Sequence, residues 1–286
     1  MKRSTFFMFV TPSVLIMVAL MIVPLIASLV MGLYFVTFRN LDAPTWVGLQ
    51  NYQEVLQDPE FWSSVQFTVV IVVITVPIRI VLGLTFALLL DQIWRFRGLF
   101  MAGALVPFVL TPVVGTLIFR DMFDRGGLYF YLLNEWFGYR LTMNAPTVQL
   151  LIMLHIIWVS TPFAMIVLFA GLQSLPAEIV EAARVDGAGW LPQLWYIALP
   201  HLRSLFVFIT LISIMDTYRI FDSVLVLTQQ NPIFNAETIM YYNFQVALSF
   251  GRLDKASAIS MITVVGIFFT LVPFLIFTYR EQLKDA

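Results

Sequence analysis

Asp216, Arg219 and Asp222 recur at three-residue intervals in the stretch MDTYRIFD, inside a long apolar run. On one helix that spacing brings the guanidinium within reach of both carboxylates. Two uses suit such a ladder. It can line a polar path for a solute, with Tyr218 and Phe221 beside it as ring-stacking surfaces, or it can be an internal set of ion pairs that fixes the helix. Arg79, in VPIRIVLGL, is a second charge in apolar surroundings. Its burial is costly, so it is expected to serve structure by pairing with a carboxylate on another helix. Tyr241, Tyr242, Asn243 and Gln245 form a polar-aromatic cluster. Aromatic faces suit rings and amides suit hydroxyls, which makes Tyr242 and Asn243 candidates for the same path. Such aromatics also anchor membrane interfaces or subunit contacts, and that is the favoured use here.

The remaining reactive inventory is sparse. The chain has no cysteine, which excludes disulfides and thiolate chemistry. Its three lysines, Lys2, Lys255 and Lys284, never follow a glycine, so no phosphate-binding GxxxxGK[ST] loop exists. His155 and His201 have no second metal-ligand type at metal-site spacing, and no metal site is expected. His155 reads as a buried hydrogen-bonding residue and His201 as an interfacial one. No nucleophile–base–acid set is visible, so the chain is expected not to be an enzyme. A net charge of −1 gives no reason to expect nucleic acid as a partner.

The elements that must position these residues are membrane helices. Of 286 residues, 60% are hydrophobic and 12% charged, whereas a soluble domain is about 45–50% apolar and about 25% charged. Apolar runs reach the length needed to cross a bilayer. They predict an all-α polytopic membrane protein, one domain over 1–286, with spans near 6–36, 65–90, 99–119, 148–173, 201–223 and 256–279. The first run begins like a signal peptide, but it is too long for one and lacks a small-x-small cleavage site, so it reads as a retained helix. Six spans put both termini on one side. If that side is the cytoplasm, inside segments hold Lys2, Arg3, Arg95, Arg97, Arg184, Arg203, Arg280 and Lys284. The longer outside loops then hold Arg39, Arg120, Arg125, Arg140, Arg252 and Lys255. The bias has the positive-inside sign, most clearly in DQIWRFRG at 91–98.

On this orientation the semi-polar insert EAARVDGAGWLPQLWYIALP at 181–200 faces the cytoplasm. Pro176 and Glu178 suit a helix start. Gly187-Ala188-Gly189 allows a sharp turn. A second short helix is expected from Trp190 to Ile197, closed by Pro200. The result is a helix–turn–helix knob between spans four and five. An ordinary interfacial loop suits the same residues.

The spacing of Glu181, Ala182, Ala183, Gly187, Ile197, Leu199 and Pro200 meets the pattern EAA-x3-G-x9-I-x-LP in full. This resembles the EAA loop of binding-protein-dependent ABC importer permeases. GLQNYQEVLQDPEFWSSVQFT at 48–68, FRGLFMAGALVPFVLTPVV at 96–114, IMDTYRIFDSVLVLT at 214–228 and TIMYYNFQVALSFGRLDKASAIS at 238–260 extend the resemblance over nearly the whole chain. The group most similar is the carbohydrate-uptake permeases related to those for maltose and glycerol-phosphate. Two departures are QQNP at 229–232, where that group usually has a glycine-rich turn, and Arg120, near a usually aromatic position.

The resemblance implies a type I importer permease fold in which 174–200, with Asp186 near its apex, is a cytoplasmic coupling helix. It implies a homologous second permease, two ATP-binding cassette subunits and a periplasmic or lipid-anchored solute-binding protein as partners. ATP and magnesium would then be bound by the partner ATPases, with no cofactor in this chain. The location implied is the bacterial or archaeal cytoplasmic (inner) membrane, with lipid around the helices. The cargo implied is a sugar or sugar derivative, to which Tyr218 and Phe221 would offer stacking faces. Arg79 and Arg219 leave room for an anionic cargo such as a glycerol-phosphate or an acidic or sulfonated sugar. The rival classes are a stand-alone secondary transporter, which needs its own ion-coupling site and usually an internal repeat, and an intramembrane enzyme.

Overall fold

The computed structural model describes residues 3–138 and 141–282; Lys2, Arg140 and Lys284 of the charge tally lie outside them. The helices in chain order are α1 (Arg3–Met31), α2 (Gln50–Leu56), α3 (Pro59–Gln92), α4 (Arg97–Val109), α5 (Pro112–Phe123), α6 (Leu128–Phe137) and α7 (Ala145–Gln173). There follow α8 (Ala177–Val185), α9 (Trp190–Gln193), α10 (Leu199–His201), α11 (Arg203–Tyr218), α12 (Asp222–Thr228), α13 (Ile239–Phe244) and α14 (Leu253–Gln282). The strands β1 (Tyr34–Phe35) and β2 (Thr45–Trp46) form a small antiparallel hairpin, with Tyr34 opposite Trp46. Wide π-type turns at Leu194–Ala198 and Gln245–Ser249 carry α9 into α10 and extend α13.

Among the described residues, segments of α1, α3, α7 and α14 are long and apolar enough to cross a membrane. Two bent pairs pass the same test together: Arg97–Val109 with Pro112–Phe137, bent by 100°, and Trp190–His201 with Arg203–Tyr218, bent by 62°. Two predicted spans are therefore not continuous helices. The predicted 99–119 span breaks at Leu110 and Thr111, both extended. Pro112 disfavours helical geometry in the residue before it and has no N–H to continue the ladder. The predicted 201–223 span ends at Tyr218, and a new helix starts at Asp222. Thr238 Oγ1 donates to the Ile220 carbonyl at 2.7 Å and satisfies an acceptor freed by that break.

Contacts group the chain into two compact units. One comprises residues up to Trp62 together with Tyr242–Phe269. Asp254 and Asn51 are buried in it, and nearly every described side chain of α1 is exposed. The other comprises Ser63–Tyr241 and the residues from Thr270 onward. Among the described residues two parts of its core stand out. Phe67, Ile71, Phe119, Ile152, Val224 and Tyr241 pack at one, and Ala87, Ala164, Leu168, Leu202 and Ile209 at the other.

The second part depends on close helix approach. A Cβ at Gly83 of α3 would lie 2.6 Å from Ala164 Cβ and 3.0 Å from the Met165 backbone nitrogen of α7. Backbone cannot move aside as a flexible side chain can. Gly83→Ala is expected to destabilise the protein by about 1–3 kcal/mol through overpacking. The thermal unfolding midpoint of the detergent-purified chain checks this, and an unchanged midpoint would contradict the close approach.

Candidate functional site

The insert between α7 and α11 is built from its own backbone. Pro176 caps α8, which the sequence anticipates. At its far end Ala188 N–H donates to the Ala183 carbonyl at 2.9 Å and Gly187 N–H to the Arg184 carbonyl at 3.1 Å. These two bonds are a Schellman closure, which requires a left-handed residue at Gly187. Gly187 has φ +82°, as that closure demands. Gln193 Nε2 then donates to the Ala188 carbonyl at 2.7 Å and ties the second arm to the turn. The second arm differs from the expected helix over 190–197. It is four α-helical residues, a π-type turn and α10, with Pro200 inside α10 and the bend at Leu202. Ser174 Oγ and His201 Nε2, 3.0 Å apart, join the two ends of the insert.

What the knob presents is chemically distinctive. Glu181, Ala182 and Asp186 are exposed, and Ala183 is half-buried. Val185 is 88% exposed, and Ile179, Trp190 and Leu191 also face outward. Ile197 and Leu199 are half-buried beside the buried Ala198, and Pro200 is exposed. A preformed knob with an apolar tip and a carboxylate flank suits insertion into a cleft of another protein.

The expected ladder on span five does not form. Asp216 is on α11, Arg219 is the cap after it, and Asp222 opens α12 beyond the break. Among the described residues Arg219 has no carboxylate at ion-pair distance. Asp216 and Arg219 are exposed, while Phe221 and Asp222 are half-buried. The Tyr218 hydroxyl is 3.4 Å from Thr270 Oγ1. Arg79 is buried, and its hydrogen-bond partners are the Ser213 carbonyl at 3.1 Å and Thr217 Oγ1 at 2.9 Å, both on α11; Asp216 of the same helix acts on it through charge, without a direct ion pair. A hydroxyl and a backbone carbonyl provide the hydrogen-bond acceptors that a buried guanidinium requires.

Tyr241, Tyr242 and Asn243 are not interface anchors within this chain. Both tyrosines are 1% exposed. The Tyr242 hydroxyl donates to Asp58 Oδ2 at 2.6 Å, and Asn243 Nδ2 donates to Ser260 Oγ at 2.8 Å. Lys255 also reaches Asp58, at 2.6 Å. Burial alone would raise the Asp58 pKa, but hydrogen bonds from Lys255, Tyr242 and the Glu60 backbone outweigh it and hold the pKa below its ordinary value. The stability this carboxylate contributes is therefore complete above the ordinary aspartate range and is lost as pH falls through its lowered pKa.

The sequence missed the groups that share a partner across the chain. His155 is buried as expected, yet it bridges three helices: Nδ1 lies 2.9 Å from Ser223 Oγ and Nε2 lies 3.4 Å from Thr116 Oγ1. Arg252 gathers Asp254, Glu54 and Asn51 around one guanidinium. Local spacing shows only the Arg252–Asp254 neighbours; Asn51 and Glu54 lie 201 and 198 positions from Arg252, and Thr116 and Ser223 lie 39 and 68 from His155. An apolar groove of about 820 Å³ runs along α3, α4, α5 and α7, with Phe119 and Trp158 in its wall. Among the described residues no group of three or more His, Asp or Glu side chains is placed to hold a metal ion.

No family model matches the chain. It is 32% identical over 270 residues to the Sinorhizobium fredii protein named "Probable ABC transporter permease protein y4oQ", covering 92% of this chain and 86% of that one. It is 28% identical over 285 residues to the trehalose/maltose transport system permease MalF of Thermococcus litoralis, covering 92% and 94%. In fold it is similar to a chain of a bacterial ABC transporter that imports the acidic polysaccharide alginate. The TM-score is 0.83 at 17% identity, over 96% of this chain and 95% of that one. The chain belongs to the family of permease subunits of carbohydrate ABC importers.

Proposed function

We propose that this chain is one of two homologous permeases in an importer for a sugar or oligosaccharide, and that residues 174–200 couple it to a cytoplasmic ATPase. The observation that carries this is the knob. Its seven-point sequence pattern falls on a self-closed turn with an exposed apolar tip. In this reading Val185, Trp190 and Leu191 enter a cleft of the ATPase, Glu181 pairs with a basic residue at its rim, and Gly187 sets the shape. ATP and magnesium bind in the two ATPase subunits. A solute-binding protein delivers cargo from outside; the alginate transporter is known in complex with an alginate-bound periplasmic protein. Closure of the ATPase pair moves the knobs as rigid bodies and opens the path outward, and hydrolysis resets it. Both termini then lie in the cytoplasm. A carbohydrate cargo agrees with the trehalose/maltose and alginate specificities named for the relatives.

The test is a mild-detergent pull-down of the chain, then an ATPase assay with and without the candidate binding protein loaded with sugar. Co-purification of an ATPase stimulated by the loaded binding protein is expected. Solute movement by the purified chain without ATP would sink the reading.

A further inference from the structure

The two places where the sequence departs from the carbohydrate-permease pattern meet in space. Arg120 ends α5, and Gln229 follows α12. With its amide oxygen turned toward the cation, Gln229 accepts from Arg120 Nη1 at 3.2 Å, from Nε at 3.3 Å and from Nη2. Gln229 and Gln230 both hold left-handed backbone, at φ +52° and +61°. That conformation is strained for any residue with a Cβ and is the one glycine relieves. Strain of this kind persists where surrounding structure holds it, often at ligand sites.

The pair lines a pocket of about 320 Å³ with Asp124, Thr228, Asn231 and Phe234. Its decisive property is charge. Among the described residues no carboxylate comes within ion-pair distance of Arg120. Asp124 turns back to its own loop, where Oδ1 accepts from the Arg125 N–H at 2.7 Å. A neutral amide therefore holds the guanidinium in place without neutralising it. Asn231 uses its Oδ1 to cap the next turn, at 3.1 Å from the Ile233 nitrogen, which leaves its Nδ2 to donate. Phe234 adds an aromatic surface.

We propose that this pocket binds an acidic carbohydrate. The acid group would sit on Arg120, a hydroxyl would accept from Asn231, and the ring would lie against Phe234. Charge-assisted, two-pronged contacts are what a guanidinium offers a carboxylate or sulfonate. The proposal deepens the importer reading, and in that reading the pocket opens on the face from which cargo arrives.

The test is saturation-transfer NMR on the assembled transporter in phosphatidylcholine nanodiscs, with D-glucuronate and D-glucose as probes. The wild type is expected to bind glucuronate in preference to glucose. Arg120→Gln is expected to weaken glucuronate binding about tenfold, the scale of one charge-assisted hydrogen bond. Gln229→Gly relieves the backbone strain, so it should fold at least as well, yet it should also weaken glucuronate binding because the guanidinium loses its support. Equal binding of the two sugars, or undiminished glucuronate binding by both variants, would overturn the proposal. Loss of glucuronate binding on changing to phosphatidylglycerol nanodiscs would assign the pocket to a lipid headgroup and overturn it too. Binding is read without turnover, so a failed importer reading would show separately, as carbohydrate uptake that does not depend on ATP.

Discussion

Gly187→Pro is expected to uncouple the permease while leaving its membrane helices folded. Gly187 sits at φ +82° and donates its N–H to Arg184. Proline fixes φ near −65° and has no N–H, so both features of the Schellman closure are lost, at a cost of about 3 kcal/mol or more. A loss of that size lowers the equilibrium constant for closing the knob by on the order of 100-fold. ATP-dependent sugar uptake in membrane vesicles should fall on the same scale, and recovery of the ATPase in a pull-down should drop with it. A side chain at this position would meet nothing within 4 Å, so the effect is of backbone origin. Gly189→Ala is the control. Gly189 has φ −70° and ψ 178°, which any residue adopts, and open space around it. It should transport like the wild type. Normal uptake by Gly187→Pro would show that the turn does not transmit ATPase movement.

Asp254→Ala is expected to give the largest loss of stability in the unit that contains α2 and the start of α14. Asp254 is fully buried. It accepts from Arg252 Nε at 2.9 Å and from Nη2 at 3.0 Å, while its backbone N–H donates to the Val36 carbonyl at 3.2 Å. The same guanidinium reaches Asn51 Oδ1 at 3.2 Å and lies 5.1 Å from the centre of the Phe35 ring. Asn51 in turn donates to the carbonyls of Gly32 and Tyr34. Removing the carboxylate leaves the cation without its main partner at the centre of this network. Arg252 keeps Glu54 and is 28% exposed, so the loss is that of two charge-assisted hydrogen bonds, about 2–4 kcal/mol. Glu54→Gln removes only the outer arm, a 3.3 Å contact to a side chain 38% exposed, and should cost under about 1 kcal/mol. Thermal unfolding of the two purified variants separates these values. Equal midpoints would mean that Arg252 is held by its packing and not by its charge partners.

The shape of the knob at 181–200 was legible because its determinants are local. A proline at the helix start and a glycine at the closure both act within one turn of themselves. The ladder on span five was misread for the opposite reason. The i, i+3 rule holds only if the helix continues, and nothing in MDTYRIFD shows that Thr238 will take the Ile220 carbonyl. In span three Pro112 marks the break, and the reading of 99–119 as one span passed over it.

Beyond the resemblance to a permease family that the EAA pattern carries, composition and short-range spacing by themselves determined the membrane class, the approximate positions of the apolar segments and the knob. These follow from how much apolar surface each segment carries and from backbone chemistry between near neighbours. Only the tertiary structure decided what the isolated charges do. It gave Arg79 neutral hydrogen-bond acceptors more than 130 positions away, joined Arg252 to an amide 201 positions away, and brought Arg120 to the left-handed Gln229. A buried polar group must be satisfied, but which group satisfies it depends on how distant helices pack.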